Sequence, residues 1–147
     1  IWQALERVCM KNVVANLPQQ LSAEVSEFGS NFSVGERQLF CMARAILKKA
    51  KILVMDEATA NVDPETDELI QHTVKSEFTD RTVLIVAHRL NTIIECDKVM
   101  MLDAGRLTEY DSPSRLLQNQ AGSFRQLCEQ TGERNFLLLL DRTKTGN

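Results

Sequence analysis

Two short, unbroken apolar runs limit what this chain can fold into more than any other feature. KILVMDE begins at Lys51 and stops at two carboxylates, Asp56 and Glu57, while TVLIVAHR begins at Thr82 and reaches His88. Neither run alternates between apolar and polar residues, which is the pattern of strands covered on both faces. Between them, DPETDELIQHTVKSEF places Pro64 near its start and Leu69, Ile70, Thr73 and Val74 on one stripe of a helix. The segment from 51 to 88 therefore reads as strand, crossover helix, strand, a unit that is almost always parallel and right-handed. In such sheets ligands sit beyond the carboxyl ends of the strands. That edge receives Asp56 and Glu57 from the first strand and His88 from the second. Adjacent carboxylates there can divide labour, Asp56 orienting a hydrated magnesium ion and Glu57 positioning or activating a water, with His88 in reach of a terminal phosphate.

A second feature lies upstream. In SNFSVGERQLFCMARAIL, residues 30–47, a small-residue turn meets a helix whose apolar positions Leu39, Met42, Ala43, Ile46 and Leu47 recur at the spacing of one helix face. Ser33 stands three residues before Glu36, the capping-box spacing, in which the serine hydroxyl accepts from the backbone and the glutamate reaches back. The same helix start suits an anion: its N–H groups and dipole attract negative charge, and Gly35 has no Cβ to hold a phosphate away from the backbone. The helix closes among Lys48, Lys49 and Lys51, whose charge suits a helix C-terminus.

The remaining segments are simpler. IWQALERVCMKNVVANL reads as helix closed by Pro18, with no sheet in that third of the chain. KVMMLD and RLTEY flank Ala104 and Gly105 as the arms of a hairpin. DSPSRLLQ offers Ser112 as a cap and Pro113 at a first helical position, and a last amphipathic helix carries Phe124 and Leu127. At 147 residues, 44% hydrophobic and 25% charged with net charge -3, the composition is that of one ordinary soluble globular domain, without the basic balance of a general nucleic-acid binder. Cys9, Cys41, Cys96 and Cys128 are scattered and form no CxxC pair, so reduced thiols are expected rather than zinc or disulfides. The longest apolar run, FLLLL at 136–140, is far short of the roughly 20 residues that cross a bilayer. A first residue of Ile1 is expected of a segment read from within a longer frame.

Taken in order, FSVGE at 32–36, ILVMDE at 52–57, ANVD at 60–63 and AHR at 87–89 resemble the nucleotide-binding domain of ABC transporters. FSVGE is similar to the signature motif, ILVMDE to the Walker B motif with its following glutamate, ANVD to the D-loop, and His88 to the switch histidine. The signature valine, DEATANVDPETDELIQ and AHRLNTI look most like the second nucleotide-binding domain of the C subfamily, the multidrug resistance-associated protein group. The implied fold is α/β: an incomplete P-loop NTPase (ABC ATPase) domain covering 1–132. Its helical subdomain and signature helix occupy 1–49, and its parallel-sheet core strands, with crossover and C-terminal helices, occupy 50–132. The tail, 133–147, is expected to be disordered and foreign to the family.

The resemblance implies ATP and Mg2+ as ligands and, as parent, an ATP-driven exporter of organic anions or conjugates. It implies as partners the other nucleotide-binding domain and the transmembrane domains of the same transporter, and no nucleic acid. It puts the parent in a membrane with its ATPase on the cytoplasmic face, and the segment by itself in solution in the cytoplasm. In this family two domains close head to tail, so the signature helix of one faces the γ-phosphate held on the Walker A loop of the other. By that resemblance Ser33, Val34, Gly35, Glu36 and Asp63 are nucleotide-binding, with Asp63 also communicating across the dimer. Asp56 holds magnesium, Glu57 is the general base for the attacking water, and His88 contacts the γ-phosphate.

Three departures shape the expectation for activity. Glu36 stands where the family commonly has glutamine, so its carboxylate needs Arg37, magnesium or the capping contact to offset it near a phosphate. Val34 replaces a glycine and adds bulk beside the phosphate cradle, in keeping with the unequal composite sites of the C subfamily. The largest departure is that no GxxxxGK[ST] run occurs, nor the aromatic base-stacking residue and Q-loop that accompany it. The chain by itself is therefore expected to hydrolyse ATP negligibly. The alternative to part of an exporter's ATPase is a truncated non-enzymatic module that docks on a partner nucleotide-binding domain. A soluble ABC-type ATPase of nucleic-acid repair or translation is disfavoured by the lack of a coiled-coil insertion or basic surface. Strands at 51–56 and 82–87 without further neighbours are expected to leave apolar edges and faces exposed.

Overall fold

A computed structural model describes residues 1–56, 62–87 and 89–145. The chain divides into two compact units, Ile1–Val86 and Ala87–Asn147. The signature helix, both strands of the parallel pair and the crossover helix share one core in the first unit.

The first unit holds α1 (Trp2–Arg7), α2 (Lys11–Ala15), α3 (Val34–Lys48), β1 (Ile52–Asp56), α4 (Pro64–Glu77) and β2 (Thr82–Val86). The helical opening stretch is two helices, α1 and α2. Val8 and Met10, two positions apart, are both almost fully buried, and a continuous helix would turn them to different faces. The chain breaks between them with Cys9 at φ 58°. Strands β1 and β2 pair in parallel, from Ile52 opposite Thr82 to Asp56 opposite Val86. Leu53, Met55, Val83 and Ile85 face a core built on Leu5, Leu39, Met42, Ile46, Ile70 and Phe78. The opposite face, with Ile52, Val54, Leu84 and Val86 at 61%, 65%, 40% and 57% exposure, is open. Sequences that read as covered on both faces are thus covered on one.

The second unit holds α5 (Leu90–Ile93), β3 (Val99–Asp103), β4 (Arg106–Asp111), α6 (Pro113–Gln118), α7 (Ser123–Glu129) and α8 (Glu133–Thr145). Strands β3 and β4 form the expected antiparallel hairpin. Ala104 and Gly105 turn it with φ of 45° and 74°, the positive pair that a two-residue type I′ turn requires. Ser112 precedes α6 without capping it; its hydroxyl instead meets that of Ser114 at 3.2 Å. Glu109 does the capping in this unit, accepting from the Phe124 N–H at 2.8 Å across the start of α7. The tail expected to be disordered is α8. Leu139 is buried with Leu117, Phe124 and Cys128, and Arg125 lies 5.2 Å over the Phe136 ring. Burial of one apolar stripe supplies the order that the polar end RTKTGN gave no sign of. Among the described residues no helix is long and apolar enough to cross a membrane.

Candidate functional site

The turn before α3 is tied down from three sides. Phe32 is buried and meets Phe40 edge to face, centroids 4.9 Å apart. Arg37 donates to the carbonyls of Phe32 at 2.9 Å and Gly29 at 3.3 Å. The capping box closes the third side: the Glu36 N–H donates to Ser33 Oγ at 3.2 Å, and the Ser33 N–H donates to Glu36 Oε2 at 2.7 Å. Both carriers of charge beside the turn are therefore engaged in holding it. Arg37 binds backbone carbonyls, and Glu36 takes the capping contact that sequence reasoning offered as one of three ways to offset its charge. Ser33 itself is exposed, and its hydroxyl keeps a proton to donate after accepting from the backbone.

Two residues of the turn make packing contacts that the sequence does not show. A Cβ on Gly35 would lie 2.3 Å from Thr66 Cγ2 and 3.3 Å from Val62 Cγ1. The space that glycine leaves on this side is filled by the start of α4. Val34, half-buried, packs against the core of the first unit. The exposed Ser33 hydroxyl and the first N–H groups of α3 stand at the positive end of a 15-residue helix.

The close approach at Gly35 brings the signature turn and the D-loop residue into one neighbourhood. Asp63 is the N-cap of α4, its Oδ1 accepting from the Thr66 N–H at 2.9 Å. That backbone hydrogen bond, with the Thr66 side chain second, holds the Asp63 carboxyl below the ordinary carboxylate range. Thr66 thus touches Gly35 with its methyl and Asp63 with its amide. Sequence reasoning missed Thr66 because a threonine in a first helical turn carries no signal of what packs on it. Asp56 lies exposed at the carboxyl end of β1. Among the described residues no group of three or more His, Cys, Asp or Glu side chains could hold a metal. One exposed carboxylate at a strand end fits an ion such as Mg2+, which takes one or two carboxylates and completes its shell with phosphate oxygens and water. Glu57 and His88 lie outside the described residues.

With this geometry in hand, the comparisons can be read. A family model described as ABC transporter matches residues 2–60. Mouse ATP-binding cassette sub-family C member 4 is 54% identical over 144 residues, 98% of this chain and 11% of that protein. Rat ATP-binding cassette sub-family C member 2 is 50% identical over 135 residues, 92% of this chain and 9% of that protein. The chain therefore spans about a tenth of the length of the curated relatives it matches. The mouse alignment, covering 98% of this chain, reaches into residues 133–147. Among solved structures, that of a bacterial Atm1-family ABC exporter with ATP bound matches with TM-score 0.78 and 34% identity, over 90% of this chain and 23% of that one. The fold is accordingly α/β, a partial P-loop NTPase domain of the ABC type.

Proposed function

Because this chain belongs to the ABC transporter family, on the branch of its C-subfamily relatives, we propose that it supplies half of a composite ATP site in an ATP-driven membrane exporter. The observation that carries this reading is the capped start of α3, held by Phe32, Arg37 and Glu36 so that the Ser33 hydroxyl is exposed at a positive helix end with a proton left to donate. Ser33 donates its hydroxyl to a phosphate oxygen presented by a partner nucleotide-binding domain. Glu36 and Val34 hold the turn in shape. Asp63 fixes the start of α4 against that turn, so that the partner meets both as one surface.

At the carboxyl end of β1, Asp56 holds Mg2+, which neutralises charge on the phosphates when bound. Glu57 takes a proton from the attacking water and His88 contacts the terminal phosphate. These assignments rest on the family motifs and on the chemistry of phosphoryl transfer, which asks for positioning and charge neutralisation rather than covalent steps. Without a GxxxxGK[ST] run of its own, the chain binds nucleotide weakly and hydrolyses it negligibly by itself.

Steady-state ATP turnover tests the proposal. The 147-residue chain alone gives no magnesium-dependent hydrolysis above background; a complementary nucleotide-binding domain carrying a Walker A loop is then added at rising ratios. Turnover rises with the chain and fails to rise with Ser33→Arg. Robust hydrolysis by the chain alone, abolished by Glu57→Gln, overturns the half-site reading. Nucleotide-independent docking that leaves turnover unchanged favours the non-enzymatic module.

A further inference from the structure

At the amino-terminal ends of β1 and β2, on the opposite end of the strands from Asp56, the first unit carries an open cleft of about 930 Å³. Four cations line it, Arg7, Lys49, Lys51 and Arg81, with the hydroxyl-bearing Thr79 and Thr82 beside them. Asp80 is the one carboxylate of the lining. The two guanidiniums are fixed in place. Arg7 pairs with Glu77. Arg81, with a side chain only 11% exposed, lies 3.4 Å from Asp80, donates to the Ala45 carbonyl at 3.3 Å and sits 5.0 Å over the Phe78 ring. The lysines are held differently. Neither ammonium has a hydrogen bond or ion pair among the described residues, yet both backbones are fixed. The Lys51 carbonyl accepts from the Thr82 N–H at 3.0 Å, which joins the two strand beginnings. Lys49 closes α3 in the left-handed region, at φ 51° and ψ 35°, a position where glycine is the usual residue and a side chain is strained.

Of the non-glycine residues at positive φ among the described residues, Lys49 is the one whose side chain lines this cleft. We propose that this cleft binds a multiply charged oxyanion of the phosphate class, with Lys49 and Lys51 as its charge partners. Two mobile-headed ammoniums on fixed backbones reach a phosphate as point charges, while Arg81 forms a rigid, charged wall and Thr79 and Thr82 offer hydroxyl donors. The cleft is of the size that holds a small organic ligand. It is formed by this chain alone, so the inference does not depend on the composite-site reading.

The test is an NMR titration of the full 147-residue chain with inorganic pyrophosphate at constant ionic strength. Saturable amide shifts confined to 49–51 and 79–82 are expected. Lys51→Gln raises the dissociation constant by roughly tenfold, the effect of removing one well-placed charge. Lys49→Gly separates binding from structure, because it relieves the left-handed strain: its thermal midpoint rises while its affinity falls. Cosedimentation with vesicles of phosphatidic acid in phosphatidylcholine identifies the source of the phosphate. Lysine-dependent vesicle binding assigns a lipid headgroup, and pyrophosphate binding without it assigns a soluble phosphate. Shifts spread equally over Lys11, Lys48 and Lys98, or an affinity unchanged in both variants, overturn the proposal and leave the lysines as charges that serve a helix end.

Discussion

A Cβ on Gly35 would come within 2.3 Å of the Thr66 methyl carbon, so the first turns of α3 and α4 are as close as that methyl between them allows. Gly35→Ala is expected to cost about 1–3 kcal/mol of stability through overpacking. Adding Thr66→Ser, which deletes that methyl and keeps the hydroxyl, should return at least half of the loss in urea unfolding. No rescue would mean that the glycine is retained for another reason. Glu36→Gln keeps an acceptor for the Ser33 N–H and should leave stability within about 0.5 kcal/mol of the parent, whereas Ser33→Ala costs about 1 kcal/mol by removing the cap. Cys128 gives a third residue-scale outcome. Burial pushes its thiol up to about 11 from an ordinary 9.0, so its contribution to stability is full below 9.0 and is lost as pH rises toward 11. Iodoacetamide at mildly alkaline pH should label the exposed Cys9 and Cys41 well before Cys128, as peptide mass spectrometry would show.

The helix ends set the acid behaviour of the elements. Asp63 caps α4 through the Thr66 N–H, and Asp111 is held by Lys98 first and by the Ser112 N–H second; both carboxyls lie below their ordinary value of 3.8. Their contribution is present above 3.8 and is lost as pH falls through the lowered folded values. Asp63→Asn preserves a capping oxygen and should flatten part of the acid limb of a plot of urea midpoint against pH, while leaving the midpoint at pH 7 close to that of the parent. An unchanged acid limb would show that the cap does not couple to folding. Elements of this kind were legible in the sequence where the signal is local. The Ser33 and Glu36 box, the Ala104 and Gly105 turn and the strand, helix, strand unit each follow from spacing alone. The break at Cys9 and the order of α8 were not, because each depends on which apolar side chains find a common core, Val8 with Met10 in one unit and Leu139 with Phe124 in the other. The partner of Gly35 was hidden for the same reason: sequence spacing shows that a side chain is missing and not what fills its place.

At the scale of the whole molecule, the open face of the parallel pair is the main consequence of what the described residues contain. Ile52, Val54, Leu84 and Val86 form a contiguous apolar row, and such rows drive association when nothing covers them. Val54→Thr with Leu84→Thr, a cross-strand pair on that face, should raise the monomer fraction in sedimentation velocity at a given concentration without moving the signature turn. A monomeric parent chain at high concentration would contradict the exposure. In the composite site, Ser33 meets a partner domain's nucleotide. That contact is tested most directly by sedimentation equilibrium of this chain with a complementary, catalytically silenced nucleotide-binding domain, with and without magnesium ATP. The account predicts association that requires ATP, is lost in Ser33→Arg and survives Lys51→Gln. Association of equal strength without nucleotide, or undiminished by Ser33→Arg, contradicts it.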